Sequence, residues 1–104
     1  MKVAFLDRDG VINQEIGYLY KIREFKYTYR CVEALELICS KGYSIAIITN
    51  QAGIAKGFYT EEEYHILTKW YLKNLEESFV PILRVLYCPH HEHGIVKRYA
   101  KVCS

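Results

Sequence analysis

Apolar and polar positions alternate in blocks along this chain. Val3 to Leu6 is a short apolar run that stops abruptly at Asp7-Arg8-Asp9-Gly10, the pattern of a buried parallel strand delivering a loop from its C-terminal end. A second such run, Ser44 to Thr49 with Ile45, Ala46, Ile47 and Ile48, ends in Asn50-Gln51-Ala52-Gly53-Ile54-Ala55-Lys56-Gly57. Pro81 introduces a third buried strand, Ile82 to Tyr87, which runs into Cys88-Pro89-His90-His91.

The intervening segments have helical period. From Cys31, apolar residues recur at Val32, Leu35, Ile38 and Cys39, and Gly42 supplies a left-handed stop. Thr60 followed by Glu63 is a capping box, and Tyr64, Leu67, Tyr71 and Leu75 with Ile66 and Trp70 make a broad apolar face to about residue 78. Residues 14 to 29 mix aromatics, charges and Gly17 without a sustained period and read as an irregular loop. Strand, helix, strand, helix, strand predicts an α/β fold, a Rossmann-like doubly wound parallel sheet with right-handed crossovers and its ligands at the strand C-termini. All three polar loops then share one edge. Doubly wound sheets usually have five or six strands, so residues 1–104 read as a single domain's N-terminal portion, lacking the later strands.

Composition narrows the partners. With 104 residues and 51% hydrophobic content, the chain has material for one compact core. Its 14 basic and 12 acidic residues are scattered, leaving no polybasic stripe for nucleic acid or membrane lipid, so an anionic partner would be a small molecule. No apolar run has membrane-spanning length, and acidic residues stand where a signal peptide would be apolar, which points to the cytoplasm. Without an export signal, four cysteines read as thiols, metal ligands or core residues rather than disulfides. Cys31 and Cys39 fall on the first helix as small core residues.

Asp7 and Asp9, just past a buried strand, suit a reaction that needs a nucleophile and a separate proton donor on one substrate. Phosphoryl transfer fits. A carboxylate can attack phosphorus to form an aspartyl phosphate while a second acid protonates the leaving oxygen, and a hard cation such as Mg²⁺ can hold both. Farther along, Cys88-x-His90 followed by Cys103 supplies ligands suited to tetrahedral Zn²⁺. Three ligands leave such a site open, with His91 or His93 as alternative fourth donors.

Phe5-Leu6-Asp7-Arg8-Asp9-Gly10-Val11-Ile12-Asn13 resembles the first motif of haloacid dehalogenase superfamily phosphatases, and Ile48-Thr49-Asn50-Gln51-Ala52-Gly53-Ile54-Ala55-Lys56-Gly57 resembles the second. With Tyr87-Cys88-Pro89-His90-His91, they are similar to the heptose bisphosphate phosphatase family within it. The resemblance implies Asp7 as nucleophile, Asp9 as general acid and base, Thr49 as the hydroxyl holding the phosphoryl oxygens, and Mg²⁺ on the Asp7 side chain and Asp9 carbonyl. It implies sugar-phosphate contacts at Arg8, at Glu15, Ile16, Gly17 and Tyr18, at Asn50, Gln51 and Ala52, and at Lys56. It also implies a structural Zn²⁺ on Cys88, His90 and Cys103 in segment 88–104.

The implied activity is removal of the 7-phosphate from a heptose 1,7-bisphosphate in lipopolysaccharide precursor synthesis, by a protein monomeric when complete. Histidinol-phosphate phosphatase is the alternative within the class. A non-catalytic, zinc-stabilised binding module is the alternative outside it.

Overall fold

The computed structural model describes residues 1–91. In chain order it comprises strand β1 (Lys2–Asp7), a 3-10 turn (Ile22–Glu24), helix α1 (Cys31–Ser40), strand β2 (Tyr43–Asn50), a short helical turn α2 (Ala52–Ala55), helix α3 (Glu61–Glu77) and strand β3 (Ile82–Cys88). The strands form one parallel sheet in the order β1-β2-β3. Leu6, Ile47 and Val85 lie side by side across it, as do Asp7, Ile48 and Leu86.

Both crossovers step in the same direction across the sheet. Right-handed connections therefore put α1 and α3 on the same face. Leu35 of α1 and Leu67, Tyr71 and Leu75 of α3 join Ile45 and Ile47 in a single core, with Leu6, Ile82 and Val85 packed against it. The opposite face is largely open among the described residues: Phe5 is 61% exposed and Ile48 and Leu86 are exposed, although Ala46 between them is buried. The strands, read from their apolar runs as buried, are thus sealed mainly on one face among the described residues, and the helices of the expected double winding lie on that face.

The helix signals hold at their ends and narrow in the middle. Gly42 has φ +87°, the left-handed conformation that terminates a helix cheaply only in glycine. The Thr60 hydroxyl accepts a hydrogen bond from the Glu63 N–H and the Thr60 N–H donates to the Glu63 carboxylate, so the capping box forms. On α3, Tyr64, Leu67, Tyr71 and Leu75 are buried, whereas Ile66 and Trp70 are exposed, so the apolar face is a stripe rather than the broad surface expected. Residues 14 to 29 are more than a loop. Leu19 and Phe25 are core residues, and Phe25 stacks on Tyr71 with ring centroids 5.5 Å apart. The segment caps the open end of the core from an irregular path, which leaves no periodic trace in sequence.

Candidate active site

At the end of β1 the chain knots. The Arg8 carbonyl accepts the N–H groups of Val11, Ile12 and Asn13, and Gly10 donates to the Asn13 carbonyl at 2.8 Å. This turn sends the two carboxylates to different surroundings. Asp7 is exposed and lines a recess of about 280 Å³ with Ile48, Thr49, Asn50, Leu86, Tyr87 and Cys88. Among the described residues its side chain accepts no hydrogen bond. Asp9 is held from several sides. Its Oδ1 accepts from Arg8 Nη2 at 2.8 Å and Asn13 Nδ2 at 3.1 Å, and its Oδ2 lies 3.4 Å from Thr49 Oγ1 and 3.5 Å from Gln51 Nε2.

The remaining candidates fall into an inner and an outer group. Arg8 and Gln51 are buried, 1% and 2% exposed, and their polar atoms reach Asp9 and Thr49 rather than the surface. Asn50 is exposed, and its Oδ1 accepts the Ala52 N–H at 3.1 Å, opening the α2 turn. Glu15 accepts the Gly17 N–H at 2.7 Å, beside half-exposed Ile16. Lys56 Nζ donates to the Tyr18 hydroxyl at 3.0 Å, and the Tyr18 ring leans on Phe58 with centroids 4.5 Å apart. Gly53 lies beneath these rings: a Cβ there would come within 2.4 Å of Tyr59 and 2.8 Å of Tyr18. The absence of a side chain thus joins segment 15–18 to the loop after β2.

Three contributors escaped the sequence reading as site residues. Asn13 lies inside the first motif, and its value is visible only once the turn brings it back to Asp9. Tyr59 donates to Gln51 Oε1, and Tyr20 stacks on Tyr59 at 5.3 Å. Burial pushes the Tyr59 phenol well above its usual value, the Arg8 guanidinium opposing, so it remains a donor. At the third strand end, Cys88 is disulfide-bonded, which corrects the expectation of no disulfides, while Cys31 and Cys39 are free thiols; Cys88 Sγ is 3.9 Å from His90 Nδ1. Cys103, His93 and most of segment 88–104 lie outside the described residues. Among the described residues no cluster of three or more metal-ligating side chains forms, and no helix is long and apolar enough to cross a membrane.

The parallel sheet, with an Asp-x-Asp turn after its first strand and a hydroxyl residue ending its second, has the fold seen in solved HAD-like phosphatase structures. A HAD-like phosphatase of Mesorhizobium loti superposes with a TM-score of 0.86 at 29% identity, over 99% of this chain and 48% of that one. The D,D-heptose 1,7-bisphosphate phosphatase of B. bronchiseptica, complexed with magnesium and phosphate, superposes at 0.80 over 89% of this chain and 52% of that one, sharing the fold. No family model matches the sequence.

In sequence the particular likeness is to heptose bisphosphate phosphatases. The chain is 54% identical over 103 residues to the D-glycero-alpha-D-manno-heptose-1,7-bisphosphate 7-phosphatase of Photorhabdus laumondii, covering 99% of this chain and 56% of that protein. It is 37% identical over 100 residues to the D-glycero-beta-D-manno-heptose-1,7-bisphosphate 7-phosphatase of Escherichia coli K12, covering 96% and 52%. The chain spans about half the length of these curated relatives.

Proposed function

We propose that this chain carries the nucleophilic half of a Mg²⁺-dependent phosphomonoester hydrolase that removes the 7-phosphate of a heptose 1,7-bisphosphate. The observation that carries this reading is the division between an unpaired Asp7 at the recess and a tethered Asp9 one residue beyond its neighbour. Asp7 attacks phosphorus and becomes the aspartyl phosphate; Asp9 protonates the departing sugar oxygen and then takes a proton from the hydrolytic water. Thr49 donates its hydroxyl to the phosphoryl oxygens without adding a charge.

The donor set suits a hard cation. Asp7 offers an unpaired carboxylate, and the Asp9 carbonyl takes no backbone hydrogen bond of the turn, giving two of the roughly six oxygens Mg²⁺ takes. When bound, Mg²⁺ neutralises phosphate charge against Asp7. On the rim, Glu15, Ile16, Gly17, Tyr18, Asn50, Ala52 and Lys56 face the sugar phosphate, while Arg8 and Gln51 act from behind. A structural Zn²⁺ on Cys88, His90 and Cys103, which requires Cys88 as a reduced thiolate, a monomeric complete protein and a cytoplasmic setting belong to the same reading.

The test joins these residues to the second half of the Photorhabdus relative and measures Mg²⁺-dependent phosphate release. Both heptose 1,7-bisphosphate anomers and histidinol phosphate form the panel. Release of the heptose 7-phosphate, lost in Asp7→Asn, is expected. Preference for histidinol phosphate would overturn the substrate, and normal turnover by Asp7→Asn would overturn the nucleophile.

A further inference from the structure

The two oxygens of Asp9 are treated unequally. Oδ1 accepts two close hydrogen bonds, from Arg8 Nη2 at 2.8 Å and Asn13 Nδ2 at 3.1 Å, both from buried side chains. An oxygen so occupied, once by a guanidinium, cannot take a proton without displacing a donor. Oδ2 has only contacts of 3.4 and 3.5 Å, at the limit of hydrogen bonding. A proton therefore goes to Oδ2.

A second chain of contacts ends at the same oxygen. The buried Tyr59 hydroxyl donates to Gln51 Oε1, which fixes the amide, and Gln51 Nε2 then donates to Thr49 Oγ1 at 2.7 Å. That bond occupies an acceptor site on Thr49 and turns its own proton outward, toward Oδ2 or a phosphoryl oxygen. The donors run in one direction, from Tyr59 through Gln51 to Thr49.

Stability does not account for this arrangement. Among the described residues, Arg8 Nε and Nη1 are buried without a hydrogen-bond partner. Burying a guanidinium held by one ion pair and one long contact, Nη2 to the Leu19 carbonyl at 3.5 Å, is a poor way to stabilise a core, where apolar replacements do as well or better.

We propose that Arg8, Asn13, Gln51 and Tyr59 are positioning residues that make Asp9 a one-sided acid. Oδ1 is the anchor, Oδ2 alone exchanges the proton with the leaving oxygen, and Thr49 presents its hydroxyl beside it. The proposal deepens the phosphatase reading and rests on it.

Leaving-group dependence tests the role. An alkyl leaving group such as the sugar C7 oxygen needs the acid, whereas p-nitrophenolate departs without it. In the joined protein, Asp9→Asn is expected to lower kcat/KM on heptose bisphosphate by ~10² or more, and on p-nitrophenyl phosphate by far less. Tyr59→Phe and Gln51→Leu should shift the ratio of the two substrates in the same direction by about tenfold, with KM little changed. Arg8→Lys should recover part of the ratio lost in Arg8→Met. Equal losses on both substrates in the positioning variants would overturn the proposal, while absence of a leaving-group effect in Asp9→Asn would overturn the acid assignment beneath it.

A second measurement needs no turnover. Unfolding of the 104-residue chain is compared for Arg8→Met, Asp9→Asn and the pair. The double variant should lose less than the product of the single losses in the unfolding equilibrium constant, by about tenfold. Independent effects would remove the anchor even if the phosphatase reading stands, and coupling without any phosphate release would separate the clamp from that reading.

Discussion

On one face of the sheet, Ile45 and Ile47 are sealed beneath α1 and α3; on the other, Phe5, Ile48 and Leu86 stand exposed. The strands carry apolar residues on both faces, which is the composition of a sheet covered twice. The described residues cover it once. The turn after β1 straddles the same divide: Asp7 continues the row of Val3 and Phe5 on the open face, while Asp9 is fastened among buried side chains. Among the described residues the surroundings of Asp9 are built, whereas Asp7 faces the open side of the sheet.

The largest way to sharpen this contrast is chemical. Asp7→Asn in the joined protein should cut turnover by at least ~10³-fold, because an amide cannot form the acyl phosphate. Its unfolding midpoint should stay near wild type, since no described side chain pairs with it. These 104 residues assayed alone should fall at least ~10²-fold below the joined protein, since among the described residues no cluster of three or more metal-ligating side chains forms to fix a cation. Equal turnover by the short chain would mean that the open face needs no cover.

The stability difference between the faces comes next. Leu75→Ala, in the sealed core, should cost about 3 kcal/mol by chemical denaturation, whereas Leu86→Ala on the bare face should cost less than ~0.5 kcal/mol. Paired replacements Phe5→Ser and Leu86→Ser should lower self-association in sedimentation experiments, because an exposed apolar sheet face beside an edge strand invites another copy. Losses of similar size on the two faces would show that the bare face is already packed in solution.

Smaller effects probe the ends of the elements. Cys88→Ser should lower bound zinc by metal analysis, and unchanged content would take the loop after β3 out of the metal reading. Thr60→Ala should cost about 1 kcal/mol by removing the cap of α3.

Much of the frame was legible because its signals are local. The strand runs, the capping box, the stop at Gly42 and the polar loops at the strand ends each follow from neighbouring residues competing for backbone hydrogen bonds or burial. Less was legible where distance in sequence is large. Phe25 reads as one aromatic in an irregular stretch until Tyr71 arrives beneath it. Ile66 and Trp70 satisfy the helical pattern yet stay exposed, since only the sheet decides which part of an apolar face is used.

From sequence alone came the two carboxylates, the hydroxyl at the second strand end and the order of elements that gathers them at one edge. Periodicity and strand-loop alternation are written in adjacent residues, so no tertiary contact is needed to read them. Which carboxylate is free, which face of the sheet is covered, and the inward turn of Arg8 and Gln51 were decided only by folding. Those properties depend on groups such as Arg8, Asn13, Gln51 and Tyr59 meeting in space, and burial and hydrogen bonding between separated segments leave no period along the chain.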